Sequence, residues 1–181
     1  MHHTAQDVIK EWPKEAREAA GRLIEEYGEP AEVSESLLTW RDTPDGWKRS
    51  ELSNEPTPHT FPAQHDDYLE QFINYKVPVG MFSTLAAFDG SVVVDRTRGE
   101  MSARCGGTSM NFVAINLAHD IITGRRTIEL ARAEYSCLYD AYQNKDEKPP
   151  YTQAFQFELP TGDTRDPDVA TLEDKQSAAS S

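Results

Sequence analysis

Residues 91–105 limit the possible folds of this chain more than any other segment does. Strand-forming residues lie on both sides of Arg98-Gly99, a pattern that predicts an antiparallel hairpin. A two-residue turn there pairs Val94 with Ala103. One face of this hairpin is then apolar, and the other carries the polar side chains Asp95, Glu100, Ser102 and Arg104.

The other elements predict a mixture of strands and helices. Pro44-Asp45-Gly46 is typical of a tight turn and predicts a second hairpin over residues 36–52. Alternation over residues 73–77 predicts a single strand, and the phenylalanines of residues 155–159 predict a late strand or clasp. Apolar spacing and capping residues predict helices over residues 13–27, 63–72, 79–88, 108–123 and from 127 onward.

These elements do not alternate as in βαβ units, so we predict an α+β fold. The expected architecture is an antiparallel sheet of about five strands, formed by two hairpins and one single strand, with helices packed on it. Residues 1–160 are expected to form one domain. Residues 161–181 are polar and acidic, and we expect a disordered C-terminal tail there.

The charge balance limits the classes of partner. Eighteen Lys and Arg residues face 31 Asp and Glu residues, which gives a net charge of −13. This balance disfavours nucleic acid and anionic membranes as partners. The chain lacks an apolar run of about 20 residues, a secretory signal pattern and a CxxC pair, so we expect a cytoplasmic monomer or homodimer.

One group of polar residues follows a proline-rich loop. His59 and His65 lie near the carboxylates of Asp66, Asp67 and Glu70. Imidazole and carboxylate groups bind zinc, manganese or iron and also serve in acid–base chemistry. The spacing matches no established ligand signature. One alternative is a half-buried structural His65 with a backbone partner and the acids near the positive end of a helix. The other is a metal site built from His59, His65 and Glu70 or a neighbouring carboxylate.

Three other features have weaker functional interpretations. Gly106-Gly107, before a helix, could cradle an anion, but the P-loop ending is missing. His119 and Asp120 lie on the polar arc of a mostly apolar helix, where a hydrogen-bonded structural histidine is the expected role. Both cysteines, Cys105 and Cys137, are expected to be inert core thiols.

Three strings in this chain resemble those of an uncharacterised family of small bacterial cytosolic proteins. They are PHxFPxxHxDxLEQ from Pro58, DGSVVVxRTxGEMSARC from Asp89 and NLAHDI from Asn116. The resemblance covers about residues 20–135 and implies a single domain, without naming an activity, a cofactor or catalytic residues. Gly106-Gly107 departs from the family pattern.

The sequence supports two main functional hypotheses. The first is a non-catalytic cytosolic module that binds a small anionic ligand or a protein partner through the ligand contacts His59, His65, Asp95, Glu100 and Arg104. The second is a metal-assisted hydrolase in which His59, His65 and a nearby carboxylate hold a divalent ion. A third is an anion-responsive regulator that uses Arg104 and the helix start at residue 108. No specific motif indicates a cofactor, and a bound divalent metal is one of the alternatives.

Overall fold

The computed structural model describes residues 4–172 and contains one antiparallel sheet of six strands with five α-helices. The predicted α+β class is confirmed, and the strand count is six rather than about five. The strands are β1 (Glu32–Val33), β2 (Leu37–Arg41), β3 (Arg49–His59), β4 (His65–Asn74), β5 (Val92–Asp95) and β6 (Glu100–Cys105). Their order across the sheet is β1-β2-β3-β4-β6-β5.

The helices follow the predicted pattern closely except in one region. They are α1 (Ala5–Ile9), α2 (Lys14–Tyr27), α3 (Phe82–Phe88), α4 (Thr108–Ile122) and α5 (Ile128–Asn144). Short 3₁₀ turns cover Val79–Met81 and Pro150–Thr152. Thr127 caps α5, where its side chain accepts a hydrogen bond from the backbone N–H of Leu130. No helix among residues 4–172 is long and apolar enough to cross a membrane.

Two groups of helices cover the apolar side of the sheet. Helices α1 and α2 pack on β2 and β3 around Leu38, Trp40 and Leu52. Helices α3, α4 and α5 pack on β4, β5 and β6 around Ile73 and Met101. Helix α4 is buried around most of its circumference, as its apolar sequence predicts, because it lies between the sheet and α5. The two groups meet where β4 lies beside β6.

The hairpin of residues 91–105 forms with a different register from the predicted one. Val94 pairs with Met101 rather than with Ala103, and a four-residue turn, 96–99, connects the strands. Gly99 adopts a φ of +62°, which disfavours a side chain and lengthens the turn. The shift is two residues, an even number, so each side chain keeps its predicted face.

The predicted helix over residues 63–72 is wrong, and of the predicted strand over residues 73–77 only residues 73–74 are in a strand. A single strand, β4, covers His65–Asn74 and pairs with β3 on one side and β6 on the other. The apolar residues of this segment also fit a helical spacing, and pairing on both sides decides in favour of the strand. The preceding proline-rich stretch belongs to β3 as far as His59, with a register shift between Leu52 and Thr57.

The C-terminal segment after α5 contacts the domain without forming a strand. Phe155 packs against Trp47 and Phe112, so residues 155–159 act as the predicted clasp. Thr164 is buried and donates a hydrogen bond of 2.7 Å to the carbonyl of Gly99. Contacts with the domain therefore extend past residue 160, where the predicted tail begins. Residues 173–181 of that tail lie outside the described part of the chain.

Candidate metal centre

The candidate site lies at the end of the hairpin that β3 and β4 form. His59 is the last residue of β3, His65 is the first residue of β4, and the two are paired in the sheet register. Asp67 follows two residues later on β4, so alternation places its side chain on the same face as His65. Phe61, in the connecting loop, packs on Tyr135 of α5 and fixes this loop against the helices.

Three side chains converge on one point at this end of the hairpin. One ligand atom from each of His59, His65 and Asp67 lies within 4.8 Å of the other two. His65 Nε2 is 3.1 Å from Asp67 Oδ1, and His59 Nδ1 is 3.5 Å from Asp67 Oδ2. Two ligands of one tetrahedral zinc ion lie roughly 3.3–3.5 Å apart for bonds of about 2.0–2.1 Å. Both separations are close to this range, and the two imidazoles face different oxygens of Asp67.

Two of these three side chains, His65 and Asp67, have a second polar atom held by a hydrogen bond, and the second nitrogen of His59 lies near a carboxylate. His65 Nδ1 donates a hydrogen bond of 2.7 Å to the carbonyl of Ala63, and His59 Nε2 lies 3.6 Å from Asp89 Oδ1. Ser91 donates a hydrogen bond of 2.5 Å to Asp67 Oδ2. Metal-binding histidines commonly donate their other ring N–H to a carbonyl or carboxylate, which fixes the ring and its tautomer.

Asp67 has the features of a carboxylate that is ready to bind a cation. Its side chain is fully buried, and its Oδ1 has no hydrogen-bond partner among residues 4–172. The nearest positive group to this oxygen is His65 Nε2 at 3.1 Å, and a bound cation would be a second way to balance the buried charge. Because Ser91 already binds Oδ2, Oδ1 is the free ligand atom.

The electrostatics of the cluster favour positive charge. The carboxylate of Asp67, with the sulfur of Cys105 as a second cause, raises the pKa of His65 to about 11. Burial raises the pKa of Asp89. Without an ion, the His65 imidazolium supplies the positive charge that Asp67 requires. A divalent cation would replace that proton, since metal ligation needs a neutral imidazole.

Cys105 approaches the cluster from the end of β6. Its sulfur is 3.5 Å from His65 Nε2, the same nitrogen that faces Asp67. In a nucleophilic triad the nucleophile and the carboxylate bind opposite nitrogens of the imidazole. Here the second nitrogen of His65 binds a backbone carbonyl, so this arrangement fits ligation of a metal better than a relay of protons.

A cleft connects the cluster with the protein surface. It has a volume of about 500 Å³ and lies between α2, α5 and the turn from β6 to α4. His65 and Cys105 line it, whereas His59 and Asp67 do not. The cleft follows the line where the two helix groups meet, because neither group covers that part of the sheet.

The structure divides the five candidate ligand contacts into two groups on opposite faces of the sheet. His59 and His65 lie on the helix side of the sheet, and strand alternation places Asp95, Glu100 and Arg104 on the opposite face. Glu100 binds Lys48 and Arg49 there. Arg104 faces Glu70 across the strands, and its buried Nε has no hydrogen-bond partner in the described chain. The expected pocket that combines both groups is therefore not formed.

Glu70 also lies away from the two histidines, which corrects the predicted ligand set. It is an odd number of residues from Asp67 on β4, so it projects to the opposite face, where it accepts a hydrogen bond from Ser102. Asp67 is the carboxylate beside the histidines. The helical interpretation of residues 63–72 obscured this, because strand alternation groups His65 with Asp67 and excludes Glu70.

Sequence reasoning missed Asp89, Ser91 and Cys105 as neighbours of the histidines. Asp89 and Ser91 form a turn before β5, in which the backbone N–H of Ser91 donates to Asp89 Oδ1. Their proximity depends on the strand order, in which β6 separates β5 from β4. No local pattern indicates that order.

The remaining sequence candidates have structural partners. His119 stacks on Phe157 with a centroid distance of 4.0 Å, and its Nδ1 lies 2.8 Å from the hydroxyl of Tyr75. Asp120 binds Arg126 and Tyr151. Cys105 is buried as expected, whereas the prediction for Cys137 is wrong because this residue is exposed on α5.

No protein-family model, curated protein sequence or solved structure matches this chain. The family resemblance therefore stays a prediction, and the geometry of the cluster carries the functional interpretation.

Proposed function

We propose that this protein binds one divalent transition-metal ion, with zinc as the first candidate, and uses it for hydrolysis. His59, His65 and Asp67 would supply three protein ligands, and water would reach a further position from the cleft that His65 lines. Three protein ligands and one open position are typical of catalytic zinc sites. The observation that carries the proposal is the convergence of two imidazoles on the buried carboxylate of Asp67, whose Oδ1 has no hydrogen-bond partner within residues 4–172.

The bound ion would lower the pKa of a coordinated water to about 7 and so supply a nucleophile at neutral pH. The protein contributes the orientation of the ligands. The carbonyl of Ala63 orients the imidazole of His65, Asp89 lies 3.6 Å from that of His59, and Ser91 holds one oxygen of Asp67. Substrate reaches the site on the side of His65, because this residue lines the cleft.

The first test measures zinc binding by the purified chain and by two variants of β4. We expect about one equivalent of zinc in the wild-type protein after equilibrium dialysis and elemental analysis. Asp67→Asn should weaken zinc binding by more than the roughly 10–100-fold that loss of an outer partner causes. Glu70→Gln is the matched control, because Glu70 lies on the same strand but projects to the opposite face.

Thermal unfolding with added zinc provides an independent readout. A ligand that binds only the folded state raises the midpoint by mass action, so zinc should stabilise wild type and Glu70→Gln but not Asp67→Asn. Less than about a tenth of an equivalent of zinc, with no shift of the midpoint, would contradict the proposal. Equal binding by Asp67→Asn would contradict the assigned ligand.

Cys105 supports a second candidate, a structural zinc site. Its sulfur would be the fourth ligand and would close the coordination sphere, which is the usual form of structural sites. Cobalt substitution separates the two candidates, because a sulfur ligand adds a charge-transfer band that Cys105→Ser would abolish. If the site is catalytic, we expect no such band. We then expect zinc-dependent hydrolysis of p-nitrophenyl acetate or p-nitrophenyl phosphate by the wild type, and loss of this activity in Asp67→Asn.

The non-catalytic binding module of the sequence hypothesis remains an alternative outcome. Zinc binding without hydrolysis of either ester, together with a cobalt–sulfur band, would favour it. Arg104 would then be the first residue to examine for anion binding, because its buried Nε has no partner among residues 4–172.

A further inference from the structure

Two separate segments bring side chains to the candidate metal centre. The loop between β3 and β4 is flanked by His59 and His65, and the turn before β5 carries Asp89 and Ser91. Strand β6 lies between β4 and β5, so backbone pairing does not join this turn directly to the loop. A residue that contacts both segments would therefore fix the position of the turn relative to the two histidines.

Arg132 of α5 makes both contacts. Its guanidinium carbon lies 3.8 Å from the ring centroid of Phe61, in the loop. Its Nη1 group donates a hydrogen bond of 2.6 Å to the carbonyl of Phe88, the residue before Asp89. Phe61 is two residues from His59 in the sequence. One side chain of α5 thus connects the two segments close to the residues of the metal centre.

The chemistry of arginine suits this double contact. A guanidinium group is planar, so it stacks on an aromatic ring with its face and donates hydrogen bonds from its edge. Phe88 is the last residue of α3, and the final carbonyls of a helix have no partner within that helix. The hydrogen bond from Arg132 therefore satisfies a backbone group at the point where the chain leaves α3.

Tyr135 packs on the same two segments one turn further along α5. Its ring centroid lies 5.1 Å from that of Phe61 and 6.4 Å from that of Phe88. Residues three positions apart share one face of a helix, so this face of α5 presents both Arg132 and Tyr135 to the two segments. Tyr135 belongs to the core, whereas Arg132 is only partly buried. A substitution of Arg132 therefore tests the connection without removing a core side chain.

His59 depends on this connection because its own contacts with the turn are long. Its Nε2 atom lies 3.6 Å from Asp89 Oδ1, and its Nδ1 atom lies 3.4 Å from the hydroxyl of Ser91. Both separations exceed the roughly 2.7–3.2 Å of a well-formed hydrogen bond. The orientation of the His59 ring is therefore sensitive to any movement of the turn relative to the loop.

We propose that Arg132 is a positioning residue of the metal centre. By contacting Phe61 and the carbonyl of Phe88, it holds the turn that carries Asp89 against the loop that follows His59. Arg132 is not among the three proposed ligands, so it acts through the residues that it contacts. This inference rests on the proposed function and concerns the affinity and geometry of the metal site.

Zinc affinity of the full chain tests this role. Arg132→Met removes the charge and the donor but keeps an unbranched side chain, and we expect it to bind zinc about tenfold more weakly than the wild type, as for loss of an outer partner. Arg126→Met is the matched control, because Arg126 is also partly buried and lies 5.9 Å from the ring of Tyr151. Its ionic partners are Asp120 and Glu134, so zinc affinity should be unchanged.

The visible spectrum of the cobalt-substituted protein is a readout that a general loss of stability does not move. We expect Arg132→Met to change the positions and intensities of the cobalt d–d bands, because the ligands are oriented differently. Arg126→Met should give the wild-type spectrum. Wild-type zinc affinity and spectrum in Arg132→Met would overturn the proposal, and so would an equal loss of zinc affinity in the two variants.

Phe61→Leu tests the same connection from the side of the loop and does not depend on the folding of Arg132→Met. Leucine keeps an apolar contact with Tyr135 but removes the ring on which the guanidinium stacks, so zinc affinity should fall by a smaller factor. If Arg132 and Phe61 act as one unit, the combined variant should lose less affinity than the product of the two single losses. Losses that multiply fully would contradict the shared role.

Zinc content separates this inference from the proposed function. A wild-type chain that binds no zinc would overturn the proposed function, and with it the positioning role. Zinc bound to the wild type, with equal affinity in Arg132→Met and in Phe61→Leu, would overturn the positioning role alone.

Discussion

Buried acids occupy both faces of the sheet, and the partner of each determines its role. Asp67 has one oxygen held by Ser91, and the other faces His65 Nε2 and has no hydrogen-bond partner in the described chain, which suits the ligand role proposed above. Glu100, on the opposite face, is satisfied by Lys48 at 2.7 Å and Arg49 at 3.4 Å. Burial alone would raise the pKa of Glu100, but the hydrogen bonds from these two cations outweigh burial and lower that pKa. Glu100 is therefore a structural charge.

Glu100→Gln tests this structural role through its pH dependence. A lowered pKa in the folded state adds stability above the unfolded pKa, near 4.5, that is lost as the pH falls through the folded pKa. We expect the variant to lose about 1–2 kcal/mol of unfolding free energy at pH 7, with a smaller loss below pH 4.5. Urea unfolding at both pH values measures the difference. Glu55→Gln, an equal change of charge at an exposed position on β3, should stay within about 0.5 kcal/mol of the wild type.

At the scale of elements, α4 anchors the segment that follows α5. Asn116 is buried, and its amide donates to the carbonyls of Tyr151 and Ala154. Its carbonyl accepts a hydrogen bond of 2.7 Å from the N–H of Gln156. One side chain of α4 thus satisfies three backbone groups of a segment that has no strand partner of its own.

Asn116→Leu should release this segment while keeping the number and branching of the side-chain heavy atoms. Three backbone groups would lose their partner, so we expect a loss of about 2–4 kcal/mol of unfolding free energy. Hydrogen exchange should also become faster at Gln156. Asn144→Ala, which removes an exposed amide of α5, is the control and should change the stability by less than about 0.5 kcal/mol. Equal exchange at Gln156 in the wild type and Asn116→Leu would contradict the anchoring role.

Sequence patterns predicted most elements and only part of the candidate site. The hairpin of residues 91–105, α4 and α5 follow from strand propensity, caps and apolar spacing, which are local properties. Strand β4 does not follow from these local properties, because His65, Leu69 and Phe72 also fit one face of a helix. Whether Asp67 or Glu70 lies beside the histidines depended on this choice between strand and helix. The positions of Asp89 and Cys105 depended on strand order, which is a non-local property.

At the scale of the whole molecule, the C-terminal segment returns to the turn between β5 and β6. Thr164 binds the carbonyl of Gly99, and Arg96 forms ion pairs with Asp166 and Asp168. A Cβ atom at Gly99 would overlap the backbone of Thr164, so this close approach requires glycine in addition to the positive φ.

Gly99→Ala should therefore destabilise the protein and loosen the C-terminal segment together. We expect a loss of about 1–3 kcal/mol, because the variant combines a strained backbone with a steric overlap. Chemical unfolding measures the loss, and limited proteolysis near residue 164 should become faster. Gly90→Ala is a suitable control, since its Cβ would meet nothing within 4 Å. An unchanged cleavage rate would show that the segment does not depend on this contact.

The two outermost strands of the sheet are short, and this limits how copies of the chain can associate. The strand at one border, β1, has two residues, and the strand at the other border, β5, has four. A neighbouring copy could form few backbone hydrogen bonds with either border, so growth of a continuous intermolecular sheet is disfavoured. A homodimer of this protein would have to bury side chains from its helices or from the polar face instead.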